Sequence, residues 1–271
     1  KAFATLMAIQ SVAPVIAPLL GGAVVPFGGW RGVFWLLAAL SALTLVAVIT
    51  AVPESLRRED RRSGGVLSTL ADMRSVATYG PFVARVCTFV FSFGVLFAYI
   101  SASPFVYQDM VGLSPSAYSV AFTVNACGIL VANLAGARLV GRFAPEKLLL
   151  TGVVGTVSAI VYLVVVVAPS PAGSLGLVPV TVGFLLLTLS LGVVLPNAAA
   201  LSMQATRGRS GSGSAILGAA QFGLAAAVSP LTGLAGPSTA VPMLVVMGSC
   251  AAFVLVATRA VFTRRPDLSG V

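Results

Sequence analysis

Residues 177–201, LVPVTVGFLLLTLSLGVVLPNAAAL, run for twenty-five positions without a charged side chain. A helix of about 20 apolar residues, at 1.5 Å rise each, crosses the ~30 Å hydrocarbon layer of a bilayer, so this stretch reads as a membrane span. Seven further windows have the same character: Ala2–Val25, Val33–Val52, Gly80–Ser103, Ala117–Ala137, Leu148–Ala168, Ser214–Ala235 and Ala240–Thr258. Arg85 is the only charged side chain inside any of the eight. Backbone polar groups in hydrocarbon must be satisfied within their own segment, which predicts an all-α polytopic bundle of eight transmembrane helices.

The composition points the same way. With 58% hydrophobic and 8% charged residues and a mean hydropathy of +1.04, too little polar surface exists to solvate a water-soluble fold. The lipid bilayer is therefore the expected surrounding. A net charge of +9 raises the question of nucleic acid, but the placement of the charges answers it. If the first residue is cytoplasmic, the cytoplasmic loops hold Arg57, Arg58, Arg61, Arg62 and Arg74, then Arg138, Arg142 and Lys147, then Arg207 and Arg209, and the tail adds Arg259, Arg264 and Arg265. The opposite side holds Arg31 alone. This is the positive-inside pattern; it predicts a multi-pass protein of a cell membrane, with both ends in the cytoplasm and no nucleic-acid partner.

Cys87, Cys127 and Cys250 fall inside spans and read as small packing residues, and the chain contains no histidine. Neither a metal site nor any other cofactor is expected. The chain begins at Lys1 rather than at a methionine and shows no signal peptide, which predicts that sequence upstream is missing.

The longest hydrophilic stretch, Pro53–Tyr79, carries five arginines and four acids and reads as a solvated cytoplasmic connector between two helices and six. A second break near Pro169-Ser170-Pro171-Ala172-Gly173 divides the six into two triplets, the inverted 3+3 arrangement of transporter halves. Pro14, Pro18, Pro196 and Pro230 lie inside spans, where each removes a helical hydrogen bond and bends the helix, although Pro is also simply commoner in membrane helices.

Small residues recur every fourth position at Ala13, Ala17 and Gly21, at Gly128, Ala132 and Gly136, and at Ala219, Gly223 and Ala227. Such stripes are ordinarily packing surfaces, and next to Pro14 and Pro18 they also suit a hinge. The run Ala13-Pro14-Val15-Ile16-Ala17-Pro18-Leu19-Leu20-Gly21-Gly22 resembles the antiporter signature on the fifth helix of major facilitator superfamily drug exporters. Gly29-Trp30-Arg31, Phe34-Trp35 and Pro53-Glu54-Ser55 resemble the turn, sixth helix and exit of the bicyclomycin and chloramphenicol resistance branch of that superfamily. Ser103-Pro104-Phe105-Val106-Tyr107 with Gly112-Leu113-Ser114 is similar to the outer end of its seventh helix, and Asn197-Ala198, Gly211–Ala215 and Gln221-Phe222-Gly223 to its tenth and eleventh. Gly141-Arg142-Phe143 to Lys147 occupies the place of the family's basic loop in degraded form, and orientation and anchoring are all that it is assigned.

The resemblance implies helices five to twelve of a twelve-helix exporter, a partial major facilitator fold. Residues 1–52 are then the last two helices of the N-terminal half, 53–79 the central cytoplasmic loop, 80–260 the six-helix C-terminal half and 261–271 a cytoplasmic tail. It also implies a monomer whose proton is handled in the first four helices. The acids of this chain, Glu54, Glu59, Asp60, Asp72, Asp109, Glu146 and Asp267, read as loop or tail residues that are solvated. Ala13, Pro14, Ala17, Pro18, Gly21 and Gly22 are assigned to the antiporter motif, with the stripe on their helix expected against the stripe at Gly128, Ala132 and Gly136.

Candidate cavity residues follow from polarity and aromatic spacing. Asn125, Asn133, Asn197 and Gln221 each need a partner away from lipid, whether another helix or a ligand. Phe89, Phe93 and Phe97 recur every four residues, with Tyr99 and Phe222 as additions, forming either core, lipid-facing surface or the wall of a cavity for apolar or neutral molecules. Arg85, five residues into its span, reads as snorkelling to headgroups ahead of a substrate or gate role. An enzyme is not expected, since the chain lacks histidine, a G-x-S-x-G elbow and paired intramembrane carboxylates. The expectation is a secondary active exporter of drug-like small molecules in antiport with protons, set against a truncated, non-transporting fragment or an exporter of another small solute.

Overall fold

The computed structural model describes residues 2–53, 65–170, 174–206, 209–236 and 239–263, with side chains described from residue 16 onward except 18, 19, 26, 66, 67, 69 and 263. Its first helix, α1 (Ala2–Ala51), holds both of the first two predicted spans. The polar break expected between them shrinks to one residue: Gly29 stands at φ 55°, ψ −159°, a backbone state that a side chain with a Cβ rarely adopts, and it joins two helical arms across a kink. The connector then forms α2 (Val66–Ala77) where a solvated loop was expected, while 54–64 lie outside the described residues. The reason lies in the sequence: Val66, Leu67, Leu70, Met73 and Val76 repeat at helical spacing, and among the described side chains Val76 is buried, Met73 half-buried and Leu70 exposed.

Six long helices follow: α3 (Gly80–Pro104), α4 (Pro115–Leu139), α5 (Pro145–Val167), α6 (Leu177–Gln204), α7 (Ser210–Leu231) and α8 (Val241–Thr263). Proline in the first turn of α3, α4 and α5 costs nothing, because those N–H groups have no helical partner. Helix α3 continues into a π-helical turn, Phe105–Met110, and the chain reverses at Gly112 (φ 86°) before the Ser114 hydroxyl caps α4 by accepting from Ala117 N at 3.3 Å. Among the described residues, seven helical segments are long and apolar enough to span a membrane, the second arm of α1 (Phe27–Ala51) being the first of them. No strand occurs among the described residues. The chain is an all-α, multi-pass membrane protein.

The six helices pack as two interlocked triplets. Helix α3 contacts α8, α7 and α6; α6 contacts α5, α4 and α3; α5 meets α8. Exchanging α3 with α6, α4 with α7 and α5 with α8 maps these main contacts onto themselves. Because successive spans alternate in direction, the exchanged helices run antiparallel, and the pattern is an inverted repeat. Glycines on α6 and its neighbours allow the close approach. A Cβ on Gly192 would stand 2.7 Å from the Ala132 Cβ and 2.7 Å from the Ile129 carbonyl oxygen, and one on Gly152 would stand 2.7 Å from Val194 Cγ2.

That geometry changes the expected role of one small-residue stripe. Helix α1 does pack on α4. Yet a Cβ on Gly128 would meet Leu185 and Thr188, and Ala132 meets Gly192, so this face of α4 is spent on α6 instead of α1. On α1, Ala17 and Gly22 are exposed and a Cβ on Gly21 would meet no atom within 4 Å; Ala13, Pro14 and Pro18 lie outside the described side chains. The third stripe, Ala219, Gly223 and Ala227, is exposed on α7.

Candidate functional site

The residues singled out by sequence fall into two groups at different depths. The first is an open aromatic wall. Phe89, Phe93 and Phe97 stand one turn apart on α3, with ring centroids 6.2 Å and 5.2 Å apart, and Phe222 of α7 meets Phe93 edge-on at 5.6 Å. Phe222 is 59% exposed, Phe93 and Phe97 are half-buried and Phe89 is buried. The α3–α7 seam beside them is closed by a hydrogen bond between the Ser101 and Ser229 hydroxyls at 2.8 Å and by Gly94, where a Cβ would stand 2.9 Å from Leu224. Gln221, next to Phe222, is half-buried.

Arg85 extends the same i, i+4 row by one turn. Its Nη1 donates to the Pro81 carbonyl at 3.5 Å, one turn toward the start of α3, while its Nε is buried without a partner. The guanidinium thus reaches toward the helix end, the direction a snorkelling cation takes.

The second group is closed. Tyr99 and Asn125, 2% and 0% exposed, lie inside an aromatic cluster with Phe122, Phe184, Tyr107 and Tyr118. Asn125 Nδ2 donates to the Tyr107 hydroxyl at 2.9 Å, and Tyr107 donates to Thr181 Oγ1 at 3.3 Å. This chain ties α4 to the π-turn and to α6, and π-helical turns collect at functional places because they re-aim side chains. Ser103 and Tyr118 add a 3.2 Å contact between their hydroxyls. Sequence reading placed Tyr99 and Asn125 among the cavity candidates but not Tyr118 or Thr181, and it named Tyr107 only within the run Ser103–Tyr107; no spacing marks their contacts, since the π-turn sets where Tyr107 points. Asn197 is buried and donates to the Val193 carbonyl of its own helix at 2.8 Å, and Asn133 is half-buried on α4.

Three of the acids expected in loops lie in helical segments instead. Asp72 is not a loop residue but lies on α2, half-buried, and accepts from Arg209 Nε at 2.9 Å, which fastens the connector to the start of α7. Glu146 sits in the first turn of α5, where a negative charge suits the helix dipole, and Asp109 lies exposed within the π-turn. Among the described residues no three His, Cys, Asp or Glu side chains gather as metal ligands.

Two inverted helical triplets preceded by a further helical pair define a membrane protein of the secondary-transporter class. Residues 1–230 match the Major Facilitator Superfamily. The chain is 33% identical over 254 residues to the uncharacterized MFS-type transporter YdgK of Bacillus subtilis (strain 168), covering 91% of this chain and 61% of that protein. It is 23% identical over 250 residues to the bicyclomycin resistance protein homolog of Haemophilus influenzae, covering 92% and 62%, and 31% identical over 140 residues to the multidrug resistance protein MdtM of Salmonella typhimurium (strain LT2), covering 52% and 34%. The chain belongs to the major facilitator superfamily, and it spans 61–62% of the length of the first two of these relatives. That membership, in a family of transporters and not of enzymes, agrees with the absence of a catalytic constellation in the sequence.

Proposed function

We propose that this chain is the portion of a drug exporter that runs from the fifth to the twelfth helix, and that the whole protein moves drug-like small molecules outward in exchange for protons by alternating access. The observation that carries the reading is the aromatic wall on α3 and α7. Helix α3, packed against α6, α7 and α8, carries Phe93 and Phe97 half-buried at one face, and Phe222 of α7 projects exposed beside them. A wall of neutral aromatic rings binds apolar and planar molecules without demanding one shape. Names of the similar proteins, bicyclomycin resistance and multidrug resistance, support the same substrate class.

On this reading residues 1–52 belong to the N-terminal half, 80–260 form the C-terminal half, and 53–79 join them on the cytoplasmic side. The membrane is the bacterial inner membrane, both chain ends are cytoplasmic and the protein works as a monomer. Ala13, Pro14, Ala17, Pro18, Gly21 and Gly22 form the antiporter motif, and Asn133 and Gln221 lie at the polar margin of the cavity. Tyr99, Asn125 and Asn197 are buried and belong to the packing of the helices rather than to the open face. The test is drug accumulation in cells carrying the intact protein with Phe93→Ala or Phe222→Ala. Accumulation should rise toward that of cells lacking the exporter, with the protein still inserted; unchanged efflux in both variants would overturn the assignment of the wall.

A further inference from the structure

The seam between α3 and α8 opens on its outer side into an apolar groove of about 430 Å³, lined among others by Gly80, Val83, Cys87, Phe91, Phe253 and Val256. We propose that this groove is a binding site for one acyl chain of an anionic phospholipid. Three observations meet there. The first is length: from Gly80 to Phe91 the groove follows eleven residues of helix, about 16 Å, which is half of the ~30 Å hydrocarbon layer. It is therefore as deep as one leaflet.

The second is closure. Phe91 and Phe253 stack at 4.6 Å with planes 16° apart and form the inner end of the groove. Val83 and Val256, 37% and 68% exposed, form its rim, and the buried Ala84 and Ala257 leave room at its floor. The shape is that of a slot with one end near mid-membrane and the other at the helix ends.

The third is charge. Thr78 and Ala260 mark the open end. Arg74 lies one helical turn before Thr78, and Arg259 directly precedes Ala260, so both long basic side chains start beside the mouth of the groove. Both are exposed, and Arg264 and Arg265 follow in the sequence. Basic side chains at the mouth of an apolar slot between membrane helices match a phosphate headgroup above an acyl chain. No described contact of α1 covers this face, since α1 packs on α4.

The test uses the intact protein in nanodiscs. Every tryptophan of the intact protein, Trp30 and Trp35 among them, becomes Phe, and Val256→Trp places a single fluorophore on the rim. Quenching by brominated phosphatidylglycerol is compared with that by brominated phosphatidylcholine. The expected result is about a 25-fold preference for phosphatidylglycerol, which falls about fivefold with Arg259→Gln and about fivefold again with Arg74→Gln, the factor that corresponds to ~1 kcal/mol per basic residue near an anionic surface. Arg138→Gln, exposed at the end of α4, should leave the preference unchanged. Equal quenching by the two lipids, or an equal loss with Arg138→Gln, would reduce the groove to ordinary annular contact and overturn the proposal. No quenching by either would show protein covering the groove and overturn it as well. Phosphatidylglycerol retained by the unsubstituted protein through purification, and lost in the Arg74→Gln/Arg259→Gln double variant, gives the second readout.

Discussion

Gly192→Ala, one added methyl group, should force α4 and α6 apart. The new Cβ would stand 2.7 Å from the Ala132 Cβ and 2.7 Å from the Ile129 carbonyl oxygen, with Ile129 Cα at 3.2 Å. Carbon atoms in favourable contact sit about 3.5–4.0 Å apart, so the shortfall is close to 1 Å. A clashing side chain can rotate away, but a carbonyl oxygen belongs to the helix, and relief requires the whole of α4 to move. Overpacking of this kind costs typically 1–3 kcal/mol. With backbone as the obstacle, the upper end of that range applies, offset by the gain of up to ~1 kcal/mol from replacing Gly by Ala in a helix. The net expectation is a loss of ~2 kcal/mol, a factor of about 30 in the folding equilibrium. Reversible unfolding of purified protein in mixed micelles measures it. Gly136→Ala is the control on α4, since a Cβ there would meet nothing within 4 Å, and it should be neutral or mildly stabilising. Combining Gly192→Ala with Ala132→Gly removes one of the two close contacts and should recover part of the loss. If Gly192→Ala and Gly136→Ala shift the midpoint equally, the close crossing of α4 and α6 is wrong.

Tyr107→Phe should cost ~1–3 kcal/mol by the same assay, because it leaves the buried Asn125 Nδ2 without its acceptor; a neutral result would remove the Asn125–Tyr107–Thr181 chain as a support of the π-turn. Asp72→Asn should cost no more than about 1 kcal/mol, since Arg209 and Asp72 are 39% and 30% exposed and the pair is well screened, and a double-mutant cycle with Arg209→Gln returns a coupling within that bound. A cysteine placed at Ser170 should react with an impermeant maleimide added to intact cells, whereas one at Ser63 should not; the reverse pattern would invert the topology.

The spans were legible because hydrocarbon imposes a single strong rule, and 177–201 obeys it without a charge over its whole length. Helix ends were legible to within a few residues for the same reason, with α6 running only from Leu177 to Gln204. What escaped was set by tertiary contact. The kink at Gly29 takes one residue where composition suggested a loop, because a single positive φ breaks the helical path. Helix α2 lies in the most polar stretch of the chain, and its buried Val76 gained meaning only from the contacts that α2 makes with α7 and α3. The stripe at Gly128 and Ala132 was recognisable as a close-packing face, but nothing in one sequence says which neighbour it meets. The aromatic row Phe89, Phe93, Phe97 was readable from its spacing alone; that Phe222 joins it, while Tyr99 and Asn125 turn inward, depends on how α3, α4 and α7 rotate against each other.

The central claim is coupling of drug movement to protons in the protein that this chain belongs to. It is tested most directly by reconstituting the intact protein in liposomes, loading a fluorescent hydrophobic drug and imposing a pH gradient of defined sign. Differential binding of proton and drug to two alternating states requires that the gradient drive the drug against its own concentration, and that a protonophore abolish the movement at once. Drug flux that runs only down its own gradient, at a rate indifferent to the imposed pH difference and to the protonophore, would contradict the account.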